Sequence, residues 1–370
     1  MVAIDAETAL LRASARIVAD ADSLAAIACC AAEIQHWERV VVRAETHSIA
    51  PLLYHHICRA GVEIPPTNLV QLRALAVRHR HANEVRLRVL TEIIGRFGAA
   101  GIESIVLKGA ALAHMIYPSP GLRPMRDIDV LVPGAAAGDA QRILVEIGFD
   151  APSEHRVKTM RHHHHLPIAS CVRDGLRVSI EVHHDAVSGD YPDRIRVERL
   201  ASPLQSVATG AHEFNTFGHI DMLRHLCLHA FEPAAETRLA GVADIVGYAA
   251  HFVADIDWSE IVTEWPRITN TLTLLHYVTP LPDSLALFKP PPEHLAPEGI
   301  GHGIEPISHI LGRKTSVRRL LKELLYPPEW WLRGYYAAPL TLSPMYLRWG
   351  KHAPRLGRWA ARRLWASVYR

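Results

Sequence analysis

Residues 105–132 read IVLKGAALAHMIYPSPGLRPMRDIDVLV. Ile105, Val106 and Leu107 form an apolar run short enough to be a buried strand. Lys108, Gly109 and Ala110 follow, then a helical stretch through Met115 that Pro118, Pro120 and Gly121 interrupt. A second apolar run starts at Asp127 and reads Asp-Ile-Asp-Val-Leu-Val. Side chains alternate along a strand, so Asp127 and Asp129 share one face while Ile128 and Val130 take the other. Two carboxylates side by side repel each other unless a cation lies between them. The pair is a candidate metal site.

A lone Asp-x-Asp is common as a turn or a solvated edge, so a third carboxylate matters. Residues 178–182 read Val-Ser-Ile-Glu-Val, which puts Ser179, Glu181 and His183 opposite Val178, Ile180 and Val182. Asp174-Gly175 is a strong two-residue hairpin signal between strands at 168–172 and 176–182. If that hairpin lies beside the Asp127 strand, Glu181 completes a three-carboxylate cluster. Oxygen-rich sites of this kind suit Mg²⁺, with Mn²⁺ as the alternative ion. A helix over 138–146, ended by Gly148, completes a strand-helix-strand-helix order, so at least two strands can be parallel.

Lys108-Gly109, Arg123, Pro124, the Asp127-Ile128-Asp129 triplet and Glu181-Val182-His183 together resemble the uncharacterised bacterial nucleotidyltransferase family. That family is similar to the DNA-polymerase-β-like nucleotidyltransferases. The resemblance covers roughly residues 37–258 and is specific as a combination, not motif by motif. It implies an α+β fold, a small mixed sheet flanked by N-terminal and C-terminal helical regions. It also implies that the glycine turn faces nucleotide phosphates and that Asp127, Asp129 and Glu181 hold Mg²⁺. The site expected from it has Asp127, Asp129 and Glu181 as catalytic metal ligands. Lys108, Gly109, Ala110, Arg123, Arg126 and His183 are expected on the nucleotide. Many members of the wider superfamily have Gly-Ser in the turn, whereas Gly109-Ala110 lacks that hydroxyl.

The totals exclude several classes. Lys plus Arg number 40 and Asp plus Glu 38, a net charge of +2 that argues neither for nor against nucleic acid as a partner. No stretch approaches the ~20 continuous apolar residues of a membrane span. Asp5 and Glu7 stand where a secretory signal would be basic. The five cysteines, Cys29, Cys30, Cys58, Cys171 and Cys227, lack Cys-x-x-Cys spacing, which argues against a disulfide framework or a cysteine zinc site. The cytoplasm is the expected compartment.

Along the chain, periodicity predicts helices over 7–19, 23–45, 48–59 and 68–97. Arg73, Arg78, Arg80, Arg86 and Arg88 along the last are read as a solvated face. Residues 149–160 read as a loop. His162, His163, His164 and His165 invite a zinc reading, but alternation would let only two share a site and nothing nearby completes a tetrahedral set. In the resembling family, histidines precede a Leu-Pro here, so one or two are expected to face the site. His225 and His229 lie one helical turn apart without the internal Glu of a zinc hydrolase motif. Asp244 is expected to pack or to bond between helices rather than touch substrate. Prolines around 280–297 mark a loop or linker, and 316–325 a further helix. The tail 346–370 is basic, amphipathic and aromatic, expected to dock on the body, with peripheral membrane contact second and a polyanion-binding arm third among the competing readings.

Four regions follow: helical 1–100, a nucleotidyltransferase core at 101–185, a helical region closing the site at 186–280, and a proline-rich linker with basic amphipathic helices at 281–370. The expected reaction moves a nucleoside monophosphate from a nucleoside triphosphate to an unknown acceptor, with pyrophosphate released. The rivals are a non-catalytic nucleotide-binding or regulatory protein on the same fold, and a zinc hydrolase built on the histidine clusters.

Overall fold

The computed structural model describes residues 4–152, 164–187, 194–210, 212–232, 237–302, 322 and 324–368, with backbone alone from 362 onward. Two compact units divide it, one of residues 1–226 and 239–252, the other of 227–238 and 253–370. The fold is α+β.

The first unit opens with α1 (Ala6–Ala13), α2 (Ala21–Ala32), α3 (Trp37–Thr46) and α4 (Ala50–Ala60). The sequence pattern over-extended the first helix and joined the next two. The break falls at 33–36, because α3 starts a new buried stripe, Trp37, Val40, Val41 and Ala44, out of phase with Ile27 and Ala31 of α2. Pro51 lies in the first turn of α4, where it displaces no helical hydrogen bond. The long helix α5 (Pro66–Ala99) follows.

The central sheet has β1 (Ile105–Val106), β2 (Ile128–Leu131), β3 (Ala169–Arg173) and β4 (Leu176–His183). Its strand order is β1-β2-β4-β3, with β2 and β4 parallel and the two outer pairs antiparallel. Helix α6 (Lys108–Met115) connects β1 towards β2, and α7 (Ala137–Glu146) lies in the crossover between β2 and the β3–β4 hairpin. Asp174 and Gly175 both have positive φ, +48° and +74°, the backbone of a tight hairpin whose twist matches its strands. Val178, Ile180 and Val182 of β4 are fully buried, and α5 and α7 both pack on that strand. A second sheet, β5 (Gln205–Thr209) with β6 (His212–Thr216), sits against β1, where the Thr216 hydroxyl donates to the Val106 carbonyl at 2.6 Å. Helices α8 (His219–Ala230) and α9 (Leu239–His251) follow.

The second unit contains α10 (Trp258–Glu264), α11 (Pro266–Leu275), α12 (Glu329–Tyr335) and α13 (Ala353–Val368). Trp330 and Trp331 are fully buried, and Arg267 donates to the last carbonyls of α12, those of Gly334 and Tyr335. The proline-rich stretch holds one short 3₁₀ segment, Asp283–Phe288, anchored by buried Leu285 and Phe288. Ahead of α13, Leu347 and His352 are buried, and His352 Nε2 donates to the Leu324 carbonyl at 2.8 Å, so this part of the tail docks on its own unit. Trp349 and Trp359 remain partly exposed. The expected helix at 316–325 lies almost wholly outside the described residues. Among the described residues, no helix is long and apolar enough to cross a membrane.

Candidate active site

The parallel pairing of β2 and β4 sets Asp129 directly opposite Glu181. Residues in register on neighbouring parallel strands point to the same face, and both carboxylates therefore leave the sheet together. His183, two residues beyond Glu181, shares that face. Its Nε2 donates to Asp129 Oδ1 at 2.8 Å and lies 3.4 Å from Glu181 Oε2. Among the described residues, Asp129, Glu181 and His183 form a group of acidic and histidine side chains near enough to hold a metal ion, with ligand atoms within 4.8 Å of one another. The Glu181 carboxylate is thus turned towards Asp129, as strand alternation requires.

Asp127 stands just ahead of β2 and is half-buried. Burial raises its pKa, and the charges of Asp129 and Glu181 add to the rise while Lys108 opposes it. The three expected acids therefore feel one another electrostatically, although the ligand-distance group is Asp129, Glu181 and His183. Burial alone would depress the pKa of His183. Its hydrogen bonds to Asp129 and Glu181, with the Asp129 charge, outweigh this and hold the imidazole above its ordinary value. A histidine bound this way orients the carboxylates that would meet a cation.

Lys108 reaches the same cluster, its Nζ 3.7 Å from Asp129 Oδ1. Its φ of +46° is left-handed, a conformation that costs a non-glycine residue about 1–2 kcal/mol. The strain falls at the first residue of α6, where the chain turns sharply out of β1. Gly109 follows. A Cβ on it would lie 3.3 Å from the Met125 side chain and 3.7 Å from the Arg123 guanidinium, so the backbone here is closely approached. Ala110 is buried in the first turn of α6.

Arg123 is not directed at open solvent. Its Nε and Nη2 donate to both oxygens of Asp244 on α9 at 2.6–3.0 Å, and the Tyr117 hydroxyl donates to Asp244 Oδ1 at 2.7 Å. Burial works against the Arg123 charge, but Asp244 overrides it and the pKa rises. Burial, helped by the Asp244 charge, pushes Tyr117 well above its normal value. Asp244 thus ties α9 to the connection between α6 and β2, where a bond from helix to helix was expected. Arg126 is exposed.

Of the four consecutive histidines, His162 and His163 lie outside the described residues. The rings of His164 and His165 stand 5.1 Å and 5.4 Å from that of His183, and His165 bridges to His183 across the sheet. His225 is fully buried beside Phe217, and His229 bonds Glu232 at 2.8 Å. Neither belongs to the metal-distance group.

One residue escaped the sequence reading. Arg86 is not on a solvated face: it is buried, beside Val85 and Val89 in the stripe α5 turns to the sheet. Burial lowers its pKa and the charge of Asp127 raises it, so it stands close to the acidic cluster. The signal was its spacing from Ala82, Val89, Leu90 and Ile93, which places it on the apolar side.

No curated protein and no solved structure matches the chain. Residues 33–283 do match a family model described as an uncharacterised nucleotidyltransferase, a span that takes in β1, the glycine turn, both acidic strands and Asp244. The chain belongs to this uncharacterised nucleotidyltransferase family.

Proposed function

We propose that the protein catalyses nucleotidyl transfer from a nucleoside triphosphate to an acceptor hydroxyl or phosphate oxygen, with Mg²⁺ or Mn²⁺ held by Asp127, Asp129 and Glu181. The observation that carries this reading is the facing pair Asp129 and Glu181, on adjacent parallel strands beside the Lys108-Gly109 turn. The donor set fits a hard divalent cation. It offers carboxylate oxygens, with a buried histidine already committed to orienting them. When bound, such an ion neutralises phosphate charge and polarises the reacting phosphoryl group.

The remaining work falls to the chain. An acceptor oxygen forms a bond to the α-phosphorus while the bond to the bridging oxygen breaks, and that electron pair leaves with pyrophosphate. The acceptor proton passes to water or to Glu181. Gly109 lets the backbone approach the phosphates, and the first amides of α6 bind anionic oxygens. Lys108 pairs with phosphate oxygens, its left-handed backbone aiming the side chain back towards Asp129. Arg123, tied to Asp244, supports the glycine turn. His183 keeps Asp129 and Glu181 aligned.

The test is incubation of the full chain with each labelled triphosphate and Mg²⁺, reading pyrophosphate release. Asp127→Ala and Asp129→Ala are the controls. Release that depends on both aspartates is expected. Binding without release under every condition would leave a nucleotide-binding protein, and stoichiometric zinc with hydrolysis would favour the histidine-based rival.

A further inference from the structure

Outside the acidic cluster, the first unit contains a cavity of about 320 Å³, walled by the end of α3, the middle of α5 and the residues just ahead of Asp127. Arg78, His79 and Arg86 line it from α5, and Arg126 lines it from the loop before β2. Its one acid, Glu45, is already engaged: Arg78 pairs with it, and His79 Nε2 lies 3.0 Å from it.

Arg86 and Arg126 are different. Arg86 is 7% exposed, its Nη1 reaches only Asn83 Oδ1 at 3.5 Å, and its Nε has no hydrogen-bond partner among the described residues. Leaving a buried guanidinium donor unsatisfied is costly, and an incoming anion would remove that cost. Arg126 is exposed and has no ion-pair partner among the described residues. With Glu45 assigned, two guanidiniums remain for a ligand. That charge matches a phosphate monoester dianion, whose oxygens suit guanidinium geometry; a single carboxylate would leave one charge over. The volume lies at the low end of the roughly 300–1,000 Å³ typical of small-molecule pockets, which fits a metabolite and not a polymer. Arg126 is adjacent to Asp127 in the chain, and the Asp127 charge reaches Arg86, so the cavity adjoins the acidic cluster.

We propose that this cavity holds the phosphate group of the acceptor, which makes the acceptor a small phosphorylated molecule. Its role as an acceptor subsite rests on nucleotidyl transfer at Asp127 and Asp129; the anion site itself does not.

Titration of inorganic phosphate into the full chain by calorimetry, without metal or nucleotide, tests the site. Binding is expected to weaken about ten- to hundredfold in Arg126→Ala and in Arg86→Gln, the loss of one charge-assisted contact each. Arg126 is exposed, so its variant folds even if Arg86→Gln does not, and acetate should bind no better to wild type than to the variants. Repeating the titration with saturating Mg²⁺ and α,β-methylene-ATP assigns the source. Phosphate that still binds supports an acceptor subsite, whereas displacement shows that the cavity takes the nucleotide's own phosphates and overturns that assignment. Absence of phosphate binding, or equal affinity in wild type and both variants, overturns the site. Arginine-dependent phosphate binding in a chain that releases no pyrophosphate keeps the anion site and removes only its role in transfer.

Discussion

Asp244→Asn removes the charge that holds Arg123 in place while keeping the size of the side chain. Asp244 is 2% exposed and accepts from Arg123 through both oxygens and from Tyr117 through Oδ1. Charge centres about 4 Å apart at an effective dielectric of about 20 attract by about 4 kcal/mol. Breaking a buried pair from one side costs about 3–5 kcal/mol, because the other charge is left buried. The two routes agree, and a loss of about 4 kcal/mol is expected from urea unfolding of the full chain followed by circular dichroism. Tyr117→Phe deletes one hydrogen bond to the carboxylate and leaves the ion pair, so about 1–2 kcal/mol is expected. The effect should also reach the site. The Arg123 guanidinium lies 3.7 Å from where a Cβ on Gly109 would sit, so loosening it is expected to weaken nucleotide binding. A loss under about 1 kcal/mol for Asp244→Asn, or one no larger than that of Tyr117→Phe, would refute the reasoning.

Asp127→Asn is expected to raise the melting temperature of the metal-free protein while abolishing pyrophosphate release. It relieves burial of a charge and repulsion from Asp129 and Glu181, and a lowered melting temperature would contradict this. In Gly109→Ala, stability should change by no more than about 1 kcal/mol, since Gly109 is helical and the added Cβ presses mainly on flexible Met125. Nucleotide affinity measured by calorimetry should nevertheless fall, and unchanged affinity would mean that the phosphates do not pass over this turn. His56 supplies the pH dependence. Burial lowers its pKa from 6.5 to about 4, with Nε2 donating to the Arg16 carbonyl at 2.8 Å and Nδ1 without a partner among the described residues. A group kept neutral by folding contributes stability above the unfolded pKa and loses it as pH falls towards the folded one. About 3 kcal/mol should therefore disappear between pH 6.5 and 4, and His56→Gln should flatten that part of the curve.

Much of the site was legible because its elements are local. Alternation along 178–183 put Glu181 and His183 on one face, and Asp174-Gly175 marked the hairpin that carries them. The glycine turn, its helix and the Asp-x-Asp strand follow from neighbouring residues, since a period of two or of 3.6 is a property of the chain itself. The break between α2 and α3 was not legible. Both halves favour helix, and the interruption exists to turn Trp37 and Val40 inwards. Arg86 was misjudged for a related reason: counting charges along α5 does not reveal which side of a long helix is covered.

The pairing partners belong to a different level. Nothing near Arg123 announces that its carboxylate lies 121 residues away on α9, nor does anything near Asp129 state that it stands in register with Glu181. Residue type and spacing settle how a segment is built and which of its faces is apolar. Which segments meet, and in which register, depends on how the helices and the crossover fill one core, and that is a contest among distant contacts that no single stretch of chain records.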